Sequence, residues 1–358
     1  MNRFLMLDVG AGTLDVLYYD EKSDLHYKAV VKSPIQHIAE TAASLPGNLL
    51  ITGNEMGGGP LSNILRQRAQ SAEVVMSVSA AATLNHNLKK VRSWGIKVIE
   101  DGEAEEFKHS GTYHTLTTGD LELERIKAII DGLGVPFSFD VVGICAQDHG
   151  VPPLGVSHLD FRHQIFEKTL DQNPFPHDLL YKADEIPRAL NRLTSIAKSA
   201  RRLPVEEIYV MDSGMAAVLG ASMDIRARAK ERVLTLDVAT SHTIGAALDG
   251  EEIVGFFEYH TRDIDIKRLE ALVRDLADGK LDHKQIIAEG GHGAYIRRAF
   301  GFESAEIIIA TGPKRKLLET SNLSIVYGAP FGDNMLTGTI GVFEAIRRRK
   351  GLKPIWYR

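Results

Sequence analysis

Two hydrophobic periods take turns along this chain. Largely apolar runs of strand length stand at Arg3–Leu7, Leu14–Tyr19 and Val141–Ala146, with shorter ones at Tyr27–Val31, Leu49–Thr52 and Val74–Val78. Elsewhere the spacing widens to that of a helix. Pro60–Gln70 fits one, and Leu121–Leu133 sets Leu121, Ile126, Ile129 and Ile130 on one side. The most regular stretch is Ala183–Arg202, where Asp184 can cap, Pro187 falls in the first turn, and Leu190, Leu193, Ala197 and Ala200 make an apolar stripe. Further strands follow at Val233–Asp237, Thr243–Leu248 and Ile253–Tyr259. The order apolar run, aspartate, small-residue turn, apolar run therefore occurs twice, a weak internal duplication. Alternating strands and helices imply α/β layers, and 358 residues suit two domains better than one core. The charged stretch Ser222–Arg232 is the natural linker, giving an N-terminal domain over 1–222 and a C-terminal domain over 223–358.

Composition narrows the class. A net charge of −5 offers no general attraction to nucleic acid or to an anionic membrane. No apolar run approaches the roughly 20 residues that span a bilayer, so a cytoplasmic protein is expected. The single cysteine, Cys145, excludes an internal disulfide and a cysteine-ligated iron–sulfur cluster within one chain, and its apolar surroundings read as a packing site. Among 13 histidines, including His149, His158 and His163, no spacing resembles a zinc site. The basic run Arg347–Lys350 reads as a helix end.

The chemistry sits in the glycine turns. Leu7-Asp8-Val9-Gly10-Ala11-Gly12-Thr13 leads into a strand, whereas a dinucleotide-binding loop would open a helix. In such a hairpin Gly10 and Gly12 let backbone N–H groups approach phosphate oxygens, Thr13 adds a hydroxyl, and Asp8 can hold a hydrated Mg²⁺. An ordinary glycine hairpin fits that segment alone equally well. Leu236-Asp237-Val238-Ala239-Thr240-Ser241-His242 repeats the arrangement in the second half. Ahead of it, Met211–Gly220 is a helix of small residues, and Gly332–Ile346 is a second. Ile307-Ile308-Ile309-Ala310-Thr311-Gly312 runs from a strand into a glycine turn; Ala288–Ala294 is a rival turn, and Gly57-Gly58-Gly59 reads as a loop before a helix. Gln147, Asp148 and His149 follow the buried run that ends at Ala146.

In this order the segments resemble the motifs of the superfamily that contains actin, the sugar kinases and the chaperone ATPases. The hairpins at Asp8 and Asp237 are similar to its two phosphate motifs, the small-residue helices to its hinge helices, and the Gly312 turn to its adenosine motif. The resemblance covers nearly the whole chain and implies an α/β fold of two ribonuclease H-like (actin-like ATPase) domains with a nucleotide cleft between them. It implies ATP and Mg²⁺ as cofactors. Asp8 and Asp237 would hold the metal, and Gly10, Ala11, Gly12 and Thr13 with Thr240, Ser241 and His242 would cradle the phosphates. Gly312 would face the nucleoside. Asp212, Asp148 or Gln147 would serve catalysis, and Gln147 and His149 would face a substrate. The second phosphate turn departs from the superfamily, having no glycine in Val238-Ala239-Thr240-Ser241. The implied activity is phosphoryl transfer from ATP to a small molecule, with an ATPase that drives a partner protein and a nucleotide-binding protein without turnover as alternatives. The chain also resembles a microbial family often labelled pyruvate formate-lyase activating enzyme. Radical activation needs three cysteines on one cluster, and this chain has one.

Overall fold

The computed structural model describes residues 2–153 and 155–357. The chain opens with an antiparallel meander of β1 (Arg3–Val9), β2 (Thr13–Asp20) and β3 (Leu25–Lys32). It then leaves that sheet to build a separate four-stranded parallel sheet from β4 (Asn48–Gly53), β5 (Val74–Ser77), β6 (Lys97–Ile99) and β7 (Tyr113–Thr118). It returns as β8 (Phe139–Ala146), parallel to β1, and adds β9 (Leu180–Lys182) and β10 (Val205–Met211). The first sheet thus has the order β3-β2-β1-β8-β10-β9.

The second half repeats the plan. β11 (Arg232–Val238), β12 (His242–Asp249) and β13 (Glu252–His260) form the meander, β14 (Gly293–Ile296) extends it, and β15 (Ile307–Thr311) and β16 (Ile325–Tyr327) run parallel to β11. A meander whose first strand is flanked by parallel strands is the ribonuclease H-like sheet. Two of them in one chain make the actin-like ATPase architecture.

Two helices join the halves. The first crossing helix, Ser213–Ser222, has a fully buried run from Met215 to Ala221, so it needs apolar partners all round. It lies against β11, β12 and β15 of the second sheet, while the second crossing helix, Thr337–Arg349, lies against β1, β2 and β8 of the first. Each half is therefore closed by a helix from the other. The crossing is backbone on backbone: a β-carbon on Gly220 would stand 1.8 Å from the Thr337 carbonyl oxygen, and one on Gly341 1.7 Å from that of Ala216.

Two elements differ from the sequence reading. The expected helix Ala183–Arg202 is helical only over Asn191–Ala200. Pro187 biases Ile186 towards extended backbone, and residues 183–190 run as turns in which Leu190 N–H donates to the Pro187 carbonyl at 2.8 Å. The 15-residue helix His158–Gln172 was not legible because its buried side is Arg162, Phe166 and Leu170, one of them charged. The stretch between the halves is tied down: Asp224 is buried and accepts from Ala329 N–H at 2.8 Å.

Gly220→Ala and Gly341→Ala should each cost about 1–3 kcal/mol through overpacking, read as a lower urea midpoint. Gly132→Ala, at a helical position with open space around it, should instead stabilise by up to about 1 kcal/mol. Equal midpoints for all three would contradict the crossing.

Candidate functional site

Both central strands end in the same way. β1 delivers Asp8 and β11 delivers Asp237, and each is followed by a tight turn. Gly10 N–H donates to the Thr13 carbonyl at 3.0 Å, and Ala239 N–H to that of His242 at 3.1 Å. The turns meet tip to tip, since a β-carbon on Gly12 would stand 2.9 Å from Thr240 Oγ1. Behind the tips lies a cleft of about 400 Å³. It collects Asp8, Gly10, Ala11, Gly12, Thr13, Asp237, Thr240, Ser241, His242, Gly312, Gln147 and His149 from across the chain.

The carboxylates occupy equivalent positions. Asp8 pairs in register with Cys145 of β8, and Asp237 with Thr311 of β15. Thr311 Oγ1 donates to Asp237 at 2.9 Å, and the Cys145 thiol takes the matching place beside Asp8. Burial pushes Asp8 up to about 7, aided by the charges of Asp237 and Asp212. Burial lifts Asp237 to about 6. Asp15, opposite Asp8 on β2, is raised to about 8 by burial and by Asp8, and its Oδ1 is a buried atom without a partner. Crowded, buried carboxyls with an unpartnered oxygen are a donor set that suits a hard cation, and Mg²⁺ fits them. Asp15 was missed as a site residue, although an aspartate inside an apolar strand was a readable signal.

Arg192 was also missed. It is the only lysine or arginine among the described residues lining the cleft. Asp120 holds it with two bonds of 2.8 Å, and it donates to the Gln147 carbonyl at 2.7 Å. Gly57 packs against its guanidinium, and Gly57, Gly58 and Gly59 form cleft wall rather than a bystander loop. Gly312 adopts φ +90°, where a β-carbon would stand 2.5 Å from the Val238 carbonyl, and its own carbonyl accepts from Asn334 Nδ2 at 3.0 Å. The rival turn at 288–294 does not line the cleft.

The two expected acid–base aspartates lie elsewhere. Asp148 is buried outside the cleft lining, and its carboxylate accepts from Gly150 N–H at 2.8 Å and Leu193 N–H at 3.0 Å, so it braces the loop and the next helix. Asp212 caps the first crossing helix at Gly214 N–H, 2.9 Å, and is gripped by Arg162 Nη2 at 2.9 and 3.1 Å. Arg162 also pairs with Glu258 of the second half, which accepts from Gln147 Nε2 at 2.5 Å. Glu258 is held well below the usual carboxylate range, against the burial cost, by the Arg162 charge. Next to it stand the imidazoles of His149, His242, His260 and His292; burial pushes His149 down to about 3 and His242 to about 4.

The model of the family described as "Putative pyruvate format-lyase activating enzyme (DUF1786)" matches residues 56–317. A comparison with curated proteins finds no match. Among solved structures, the chain is similar to one in a "PilM-PilN type IV pilus biogenesis complex", at 12% identity and TM-score 0.41, with 98% of each chain covered. A polyphosphate/ATP-glucomannokinase from Arthrobacter sp. strain KM gives 13% identity and TM-score 0.36, covering 97% of this chain and 99% of that one. The ethanolamine utilization protein EutJ from Carboxydothermus hydrogenoformans gives 9% and 0.31, covering 94% and 88%. Likenesses at this level assign no activity. No helix among the described residues is long and apolar enough to cross a membrane.

The raised carboxyls set a pH dependence. The folded state keeps protons on Asp8, Asp15 and Asp237 where the unfolded chain, with carboxyls near 3.8, has released them. Their contribution is complete below that value and is lost as pH rises through about 6 to about 8. Above the ordinary histidine value of 6.5, where the buried histidines are neutral in both states, the ligand-free protein should therefore melt lower at pH 8 than at pH 6.5. Asp15→Asn should flatten that slope, and a slope of opposite sign in differential scanning calorimetry would contradict the assignment.

Proposed function

The chain belongs to the DUF1786 family, and we propose that this member binds Mg²⁺–ATP between its two lobes and hydrolyses it slowly, with lobe closure as the output. The observation that carries the reading is the pair of aspartates at equivalent strand ends, facing one cleft under two touching turns. Asp8 and Asp237 would hold Mg²⁺, with Asp15 beside them. The ion, when bound, supplies charge neutralisation on the phosphates. Gly10–Thr13 and Thr240–His242 would cradle the phosphate chain through backbone N–H groups and hydroxyls, and the Gly312 turn would face the nucleoside. Arg192 adds a fixed positive charge to that wall.

Water is the acceptor this cleft favours. Asp212 and Asp148 are both saturated by internal donors and stand outside the cleft lining, so neither is free to take a proton from an incoming hydroxyl. Gln147 is free of that constraint: it lines the cleft, and its amide is oriented by Glu258. Loose phosphoryl-transfer transition states ask little of a base, so a positioned amide and fixed charges suffice for slow hydrolysis. Transfer to a small-molecule hydroxyl is the second reading. It rests on His149, an uncharged imidazole in the cleft wall whose Nδ1 has no partner. The family's label does not extend to this chain's chemistry, because its one cysteine is buried beside Asp8 and cannot anchor a cluster.

Millimolar Mg²⁺–ATP should raise the melting temperature and yield ADP without an added acceptor. Asp8→Asn and Asp237→Asn should abolish the Mg²⁺-dependent part of that shift, and Arg192→Gln should lower turnover by about 10²-fold. No thermal shift with any adenine nucleotide would remove the proposal. ADP release that appears only with a hydroxylated acceptor, and disappears in His149→Ala, would replace hydrolysis by the second reading.

A further inference from the structure

Behind the second phosphate turn, three histidines converge from separate segments. His242 opens β12, His260 closes β13, and His292 sits in the turn before β14. One nitrogen from each lies within 4.8 Å of the other two, and the Nε2 atoms of His260 and His292 are 3.1 Å apart. Imidazoles sharing a tetrahedral ion at bonds of about 2.1 Å have nitrogens about 3.4 Å apart, so side-chain adjustments of tenths of an ångström to about one ångström close this set on an ion. One buried ring nitrogen of the set, His242 Nε2, has no hydrogen-bond partner. Buried polar atoms are rarely left so without a function.

The surroundings resemble the second layer of a metal centre. Glu258 Oε1 stands 3.7 Å from His292 Nδ1, and Arg162 and Gln147 fix that carboxylate in place. A carboxylate behind a ligating imidazole orients the ring and strengthens the donor. On the cleft side the cluster is open: His242 lines the cleft, and the His149 ring, from the first lobe, lies 5.8 Å from that of His292.

We propose that His242, His260 and His292 form a binding site for one borderline divalent transition-metal ion, with Zn²⁺ as the natural occupant, its fourth position open to the inter-lobe cleft. Neutral imidazoles suit Zn²⁺, Co²⁺ and Ni²⁺ and are poor ligands for Mg²⁺. The site is therefore distinct in chemistry from the aspartates, and it stands whether or not nucleotide binds.

The test uses the full chain, stripped with a chelator and titrated with Co²⁺ alone. One equivalent should bind with the visible absorption of a four-coordinate ion, survive excess Mg²⁺, and be displaced by Zn²⁺. His260→Ala and His292→Ala, checked for native circular dichroism, should each lose the band. Glu258→Gln should weaken binding by about 10- to 100-fold. Asp8→Asn should leave it intact, which separates this site from the nucleotide reading. Absence of stoichiometric Co²⁺ binding to the wild type would overturn the proposal. So would a band retained in both folded histidine variants, which would point to the stacked His163–His283 pair beside Asp160 instead.

Discussion

The distance between two backbones governs this molecule. The crossing helices touch with no side chain between them at Gly220 and Gly341, and each is anchored on the opposite sheet. Such close approach fixes how far apart the sheets stand. It thereby fixes that the turn after β1 and the turn after β11 meet at their tips. Gly338, on the same helix, extends the constraint to the chemistry: a β-carbon there would stand 2.0 Å from Asp8 Oδ2, so the carboxylate lies directly on the helix backbone. Glycine at these three positions is a requirement of the cleft's geometry, because any side chain would push the lobes apart or displace Asp8.

Closeness has an electrostatic consequence. It brings Asp8, Asp15 and Asp237 into one low-dielectric space, where lost hydration, and for Asp8 and Asp15 also repulsion from the neighbouring carboxyls, disfavours their charged forms. The opposite solution operates a short way off. There the buried Arg162 is shared between Asp212 of one half and Glu258 of the other. A buried ion network of this kind contributes more to where the lobes sit than to how tightly they hold, since desolvation offsets most of its attraction. One part of the cleft is therefore satisfied internally, and the other leaves its carboxyls crowded together.

The frame was legible because it rests on local patterns. Strand–aspartate–turn–strand occurs twice within short windows, and the small-residue helices announce close packing by composition alone. What escaped the sequence lies in long-range pairing. Arg162 sits on a helix whose buried side is partly charged, so its periodicity is weak. Arg192 resembles any polar helix residue until Asp120 and Gly57 are seen around it. Asp148 and Asp212 carry the right residue type at strand ends, but their partners, Leu193 N–H and Arg162, arrive from elsewhere in the chain and occupy them. The histidines show no ligand spacing because the ligand set is assembled from a β12–β13 hairpin and a distant turn.

Glu258 is where the separate parts of the cleft become one system. Its carboxylate accepts from Gln147, which lines the cleft, and from Arg162, which restrains Asp212. The same oxygen that binds Gln147 stands behind His292. Because Oε1 faces both Gln147 and His292, those two contacts share one oxygen's charge. Any change that draws negative charge towards the imidazoles loosens the hold on Gln147, and any motion that parts the lobes strains both contacts at once. The inter-lobe angle, the orientation of the cleft amide and the donor strength of the histidine cluster are thus read through one side chain from β13, buried and charged because partners from both lobes surround it.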